Sequence, residues 1–333
     1  MSEARVRFAI LGFGLHAIRR LVPAFAISEH AALTGIWRRD QAAAAANCAE
    51  LKIEHCFATR EELCASPEVD VVFITSPDAM HKDDMLLALR HGKAILCEKP
   101  VAMNATDAEA MAATAKQAGV LFGVGQNFRY NRSLMWMREQ VRAGKIGEPQ
   151  LAHAQYAYPA KTAPRKWIMD TTLACGGPIA DVGVHCIDAL RYVLDRDVMS
   201  ISTLARTDDL SASVEAVASL QMEMQGGVYA TVTASGRGLY RTLVEVTGSE
   251  GVLIAENGLT VDRPVELVLR RAGEVIETTT VTNDDGYTLM LDSFAQAVRG
   301  TETFAASGED AVTNMKAVDA AFKSWKTGQR EIV

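Results

Sequence analysis

Between Gly176 and Asp188 the sequence reads Gly-Gly-Pro-Ile-Ala-Asp-Val-Gly-Val-His-Cys-Ile-Asp. A helix here sets Asp181, His185 and Asp188 on one face at i, i+4 and i+7, with Ile179, Val182, Cys186, Ala189 and Val193 as an adjoining apolar stripe. One edge is then expected against a core and the other toward a cleft. An aspartate one turn from a histidine can fix the imidazole and stabilise its charged form, which suits proton transfer to or from a hydroxyl near neutral pH. The same two residues also read as a capping aspartate and a structural histidine. A metal site would need a third ligand to which the sequence does not point. A second reactive group stands in Cys97-Glu98-Lys99-Pro100, directly after a strand-like run. That places Lys99 at the carboxyl end of a sheet, where open α/β sheets bind ligands, although a lysine after a strand is by itself an ordinary surface residue.

A third motif, Gly12-Phe13-Gly14-Leu15-His16-Ala17, follows the first strand-like run and opens a helix. In that context the glycines form a dinucleotide fingerprint. Gly12 permits the tight turn, Gly14 lets the backbone approach a pyrophosphate, and Ala17 fills the third position. The stretch from Gly12 through Phe13, Gly14 and Leu15 to His16 is therefore expected to hold the cofactor's phosphates at a helix start. Where the second strand ends, an NAD enzyme usually carries an acidic residue for the ribose hydroxyls; here the sequence is Trp37-Arg38-Arg39-Asp40. Two guanidinium groups suit a 2′-phosphate, which points Arg38 and Arg39 to NADP rather than NAD. Asp40 is expected as a helix N-cap, or as a residue facing the ribose.

These residues need a scaffold. Val6–Leu11, Ala31–Trp37, Val69–Ile74, Ala94–Cys97 and Leu121–Gly125 read as strands separated by helical stretches, the pattern of a doubly wound parallel sheet. Beyond Gly125 the rhythm changes. Helices are expected near Asn131–Ala143 and Ile179–Leu194. An open, mostly antiparallel sheet follows over Ile201–Thr280, its turns marked by Gly226-Gly227, Gly248 to Gly251, Asn257-Gly258 and Ala272-Gly273. Two helices, about Tyr287–Arg299 and Glu309–Thr327, close the chain. The fold class is thus α/β: an N-terminal Rossmann domain over residues 1–125 and a C-terminal α+β domain over 126–333.

At 333 residues the chain exceeds what one core usually serves. With 34 Lys+Arg against 41 Asp+Glu, a formal charge of -7 and no basic run, a nucleic-acid partner is not expected. No apolar stretch is long enough for a membrane span and no export signal is read at the start, so a cytoplasmic location is expected. The six cysteines lack metal-ligand spacing and fit thiols in a reducing compartment.

Taken in order, the motifs resemble the Gfo/Idh/MocA family of glucose-fructose oxidoreductase and inositol dehydrogenase relatives. They are Gly12-Phe13-Gly14, Thr75-Ser76-Pro77-Asp78-Ala79-Met80-His81, Gly92 to Pro100, Asn127-Phe128-Arg129-Tyr130-Asn131, and Asp181-x-x-x-His185 after a glycine pair. The resemblance covers nearly the whole chain. It implies a nicotinamide-dependent oxidoreductase acting on a sugar, polyol or inositol, with Lys99, Asp181 and His185 as the catalytic group and the lysine and histidine roles exchangeable. It also implies that Thr75, Ser76, Pro77, His81, Glu98 and Asn127 serve the cofactor and Arg129 the substrate. Arg165 and Trp167 would reach the nicotinamide or the substrate. Tyr156 and Tyr287 would either enter the pocket or pack on a sheet face. Family members pair through the outer face of the C-terminal sheet, which implies a homodimer or homotetramer. Two other readings stay open: a catalytically silent dinucleotide-binding regulator, and a glycosidase that retains its NAD.

Overall fold

The structure is a computed structural model that describes residues 4–208 and 214–333. The chain divides into two compact units: Met1–Gly125 with Tyr287–Val312, and Gln126–Gly286 with Thr313–Val333. The expected domains differ from these at Tyr287–Val312, which belongs to the first unit and not to a continuous C-terminal domain.

In the first unit, strands β1 (Val6–Leu11), β2 (Ala31–Trp37), β3 (His55–Cys56), β4 (Val71–Ile74), β5 (Ala94–Cys97) and β6 (Phe122–Val124) form one sheet in the order β3-β2-β1-β4-β5-β6. All pairs are parallel. Every residue of β4 is buried, as expected of a strand covered on both faces. The strand order reverses between β1 and β4, and their carboxyl ends carry Gly12 and Thr75 side by side. In doubly wound sheets that is where ligands bind.

The helices that follow β2 and β5 begin at side-chain caps. Asp40 accepts from the Ala43 N–H (3.0 Å) and Asn104 from the Asp107 N–H (2.8 Å). The late segment joins this core for a simple reason: Phe294 is fully buried, edge-on to Phe8 with ring centroids 6.1 Å apart and to Phe304 at 5.0 Å. Asp292 accepts from the Ser28 hydroxyl (2.5 Å) and the His30 N–H (2.9 Å).

The second unit is built on a nine-stranded sheet. Its strands are β7 (Pro149–Ala157), β8 (Val198–Arg206), β9 (Val217–Met224), β10 (Val228–Ser235), β11 (Arg241–Gly248), β12 (Val252–Glu256), β13 (Val265–Arg271), β14 (Glu274–Val281) and β15 (Glu331–Ile332). They lie in the order β14-β13-β12-β11-β7-β10-β9-β8-β15. Neighbours are antiparallel except for β7 and β10. Inward residues alternate with outward ones: Val228, Ala230, Val232 and Ala234 of β10 are buried while Tyr229 is exposed.

The expected helix Ile179–Leu194 is two elements, a π-helical turn over Ile179–Gly183 and an α-helix, here α1, over Val184–Leu194. A π turn closes i→i+5 rather than i→i+4 bonds, so the spacing that would set Asp181 one α-turn from His185 does not carry across it. Such turns concentrate at functional sites.

Candidate active site

The glycine motif forms a cradle whose two glycines are required for different reasons. Gly12 has φ +95°, and a Cβ there would stand 2.5 Å from the Ser76 amide nitrogen, so the fold itself demands glycine. A Cβ on Gly14 would meet only the Gly12 carbonyl oxygen, at 3.7 Å. The protein tolerates a side chain at Gly14; a ligand lying against the backbone would not. That asymmetry fits a dinucleotide pyrophosphate. The loop is fastened by the Gly12 and Phe13 N–H groups, both donating to the Trp37 carbonyl (3.0 and 2.9 Å), and by the Thr75 hydroxyl donating to the Gly12 carbonyl (3.0 Å). Phe13, expected among the cofactor contacts, is a core residue with its side chain buried and its amide used inside the loop. Leu15 and His16 begin the helical stretch, whose first amides are those a helix start presents to an anion.

After β2, Arg38 is half-buried and donates to Asn47 Oδ1 (2.8 Å), while Arg39 is exposed. The carboxylate of Asp40 serves as the N-cap.

After β4, Thr75 and Pro77 are half-buried and Ser76 is buried, its hydroxyl donating to Asp84 Oδ2 (2.7 Å). Burial pushes the Asp84 carboxyl up, against the hydrogen bonds from Ser76 and Arg60. His81 is fully buried, its ring nitrogens 2.9 Å from the Ser76 carbonyl and 3.0 Å from the Pro100 carbonyl. It therefore ties together the loops after β4 and β5 instead of lining a cleft. Glu98 is buried 3.1 Å from His16 Nε2 and accepts from the Lys99 N–H (3.2 Å). Burial raises its carboxyl, but His16 and Lys99 outweigh that and hold it below the ordinary value. The half-buried Tyr287 belongs to this unit, with its ring 5.7 Å from that of His16 and edge-on to it. Lys99 follows β5, half-buried and joined to Pro100 by a cis peptide.

In the second unit, His185 is 7% exposed on α1, with the Phe128 ring 4.4 Å away and the Tyr156 ring at 6.5 Å. Asp181, in the π turn, accepts from the Tyr158 hydroxyl and pairs with Arg165 at 3.5 Å. Burial and the Asp181 carboxylate push the Tyr158 phenol up, so it stays a donor. Trp167 is half-buried in the 3-10 turn Lys166–Met169.

Arg129, expected to face substrate, is instead buried against Asp188, its Nε 2.9 Å from one carboxylate oxygen and 3.1 Å from the other. Asn127 is buried, and its Nδ2 has no hydrogen-bond partner among the described residues.

The glycine pair before the π turn is explained by a residue that sequence reasoning missed. A Cβ on Gly177 would stand 2.1 Å from the Glu215 carbonyl oxygen. The Glu215 carboxylate accepts from the N–H groups of Gly177 (2.9 Å) and Ile179 (2.6 Å), stapling the start of the turn that carries Asp181. Tyr158 was missed as well. Both partners lie far from Gly177 and Asp181 in sequence, and no local pattern marks them. Among the described residues, no helix is long and apolar enough to cross a membrane.

The first unit thus has the means to bind a dinucleotide, and both units carry groups able to exchange protons. Comparison with known proteins agrees. Residues 6–126 match the oxidoreductase family with an NAD-binding Rossmann fold, and residues 134–254 match the GFO/IDH/MocA C-terminal domain. The chain is 32% identical over 271 residues to a 1,5-anhydro-D-fructose reductase of Ensifer adhaerens, covering 81% of each chain. It is 29% identical to a D-xylose 1-dehydrogenase (NADP(+)) of Haloferax volcanii over 96% of this chain and 98% of that one. Its fold matches the aldose-aldose oxidoreductase of Caulobacter crescentus with a TM-score of 0.91, at 21% identity over 99% of this chain and 100% of that one. The chain belongs to the Gfo/Idh/MocA family and is an NAD(P)-dependent oxidoreductase.

Proposed function

We propose that this enzyme moves a hydride between a nicotinamide cofactor, NADP(H) in preference to NAD(H), and a secondary alcohol or ketone of a sugar or polyol. Its catalytic group is Lys99, His185 and Asp181. The observation that carries this reading is the cradle at Gly12 and Gly14, in a chain that also retains Lys99 after β5 and an enclosed His185 on α1. A purely dinucleotide-sensing protein has no use for the last two. When bound, the nicotinamide accepts or supplies the hydride. His185 or Lys99 exchanges the hydroxyl proton, and the other donates a hydrogen bond to the reacting oxygen as charge develops there. Asp181, held by Tyr158 and Arg165, keeps negative charge near the histidine's helix turn.

The sugar class is supported by the relatives named for anhydrofructose and xylose. NADP(H) preference is supported by Arg38 and Arg39 and by the commitment of Asp40 to the Ala43 N–H. Thr75, Pro77, Glu98, Asn127, Arg165, Trp167, Tyr156 and Tyr287 are proposed to complete the cofactor and substrate contacts. A cytoplasmic location fits Cys64, Cys97 and Cys186, whose thiols burial pushes up and keeps protonated. A symmetric homo-oligomer, built through the outer sheet face, fits the exposed Leu151 and Tyr229, paired across β7 and β10.

The test is a panel of aldoses, polyols and inositols with each cofactor, followed at the absorbance of the reduced nicotinamide. Turnover with at least one of them, lost in Lys99→Ala and His185→Ala, is expected. Wild-type turnover retained in both variants would overturn the assignment.

A further inference from the structure

The side of α1 that carries His185 also carries Asp188, and the 3-10 turn Asn127–Tyr130 meets both. Phe128 lies against the imidazole with ring centroids 4.4 Å apart and planes 42° apart. The next residue, Arg129, forms a buried pair with Asp188, both side chains under a tenth exposed. Tyr156, at the end of β7, adds a ring 6.5 Å from His185 and nearly parallel to it at 25°, and 6.3 Å from Phe128. The imidazole is therefore enclosed by two aromatic rings from different elements. The charged pair one turn further on fixes the turn that presents the nearer ring. A buried ion pair is a poor source of net stability but sets register, because any slip leaves two charges unpaired.

We infer that Phe128 is a positioning residue for His185: the Arg129–Asp188 pair registers the turn on α1, and the Phe128 ring holds the imidazole in the orientation that proton exchange requires. This rests on the proposed role of His185. Arg129 is thereby reassigned, from a substrate contact to the anchor of a ring that touches the histidine.

The experiment compares Phe128→Leu, Phe128→Tyr and the double variant Arg129→Met/Asp188→Leu, the last because replacing both partners of a buried pair by apolar residues avoids the stranded charge that would threaten folding. With a sugar that the wild type turns over, Phe128→Leu is expected to lower kcat on the order of 10²-fold, the cost of a small misplacement of a reacting group, with KM and dinucleotide affinity close to wild type. Phe128→Tyr, which keeps the ring, restores the rate, and the double variant falls with Phe128→Leu. In parallel, and without substrate, carbethoxylation of His185 by diethyl pyrocarbonate is followed by peptide mass spectrometry. It is expected to be slow in the wild type and in Phe128→Tyr, and faster in Phe128→Leu.

The inference is overturned if Phe128→Leu keeps the wild-type kcat, if Phe128→Tyr is as impaired as Phe128→Leu, or if His185 is modified at one rate in all three proteins. If the wild type turns over no sugar, the functional proposal fails, and the modification rates alone decide the role of Phe128.

Discussion

Glu215 offers the sharpest quantitative test of how this chain holds its reactive segment. The residue is 1% exposed and its carboxylate receives two backbone donors, Gly177 at 2.9 Å and Ile179 at 2.6 Å. In Glu215→Gln the volume is kept, but the amide offers one acceptor where there were two, so one buried N–H faces an NH2 group. An unsatisfied buried donor costs about 1–3 kcal/mol. At about 2–4 °C per kcal/mol for a unit of this size, the melting temperature should fall by roughly 2–12 °C.

The pH dependence has a definite sign. Burial pushes the Glu215 carboxyl above its ordinary value of 4.5, although the Ile179 and Gly177 amides pull the other way. A folded-state pKa above the unfolded one means that the folded protein binds the extra proton. The associated stability is full below about pH 4.5 and is lost as pH rises through the folded value. The gap between wild type and variant should therefore narrow from pH 4.5 toward neutrality. Thermal unfolding by circular dichroism across that range measures it. Equal melting temperatures at pH 5, or a gap that widens as pH rises, would refute the reasoning.

Other expectations follow from the cradle and the sheet. Arg39→Asp should lower NADP(H) affinity about tenfold or more and leave NAD(H) affinity unaffected or improved, since charge-assisted contacts to a phosphate contribute about 1.5–3 kcal/mol; titration by nicotinamide fluorescence decides it, and a wild type that prefers NAD(H) contradicts the premise. Lys99→Ala and His185→Ala should each lower turnover by about 10²–10⁴-fold while dinucleotide binding persists, because the proton-transfer role, not the phosphate cradle, is removed. Replacing Leu151 and Tyr229 together by Glu should shift the assembly seen by light scattering toward the 36.0 kDa chain; an unchanged mass rules out that face.

What the sequence shows and what it hides follow from the range of the forces involved. β1, β2 and β5 are mostly apolar runs, interrupted only by Arg7 and Thr34, and the residues that follow them include Gly12, Arg38 and Lys99. β3 has two residues and no pattern to read. β7 sits at the centre of its sheet yet was not foreseen. Its sequence, Pro-Gln-Leu-Ala-His-Ala-Gln-Tyr-Ala, is poor in β-branched residues, and it is a strand because β10 and β11 pair with it on either side. The same divide runs through the site. His185 and Lys99 announce themselves by their neighbours in sequence, whereas Glu215 reaches Gly177 across 38 residues and Tyr158 reaches Asp181 across 23. The π turn at Ile179–Gly183 is also invisible to a helical wheel, which assumes the spacing the turn breaks.

The membership of Tyr287–Val312 in the first unit bears on the order in which the protein can be made. Domains usually fold in the order in which they emerge from the ribosome, the N-terminal one first. Here the Rossmann sheet is translated early, but Phe294 and Phe304 of its aromatic core, the Asp292 acceptor for Ser28 and His30, and Ser307, which bridges Gly123 at the edge of β6, are all encoded after strands β7 to β14 of the second unit's sheet. At ~5–20 residues per second, on the order of ten to thirty seconds separate the appearance of β6 from that of Phe294. During that interval Phe8 lacks a native neighbour. The unit that begins first is thus the one that finishes late, and a gene fragment ending at Gly125 encodes all six strands of the sheet without the residues that close its core.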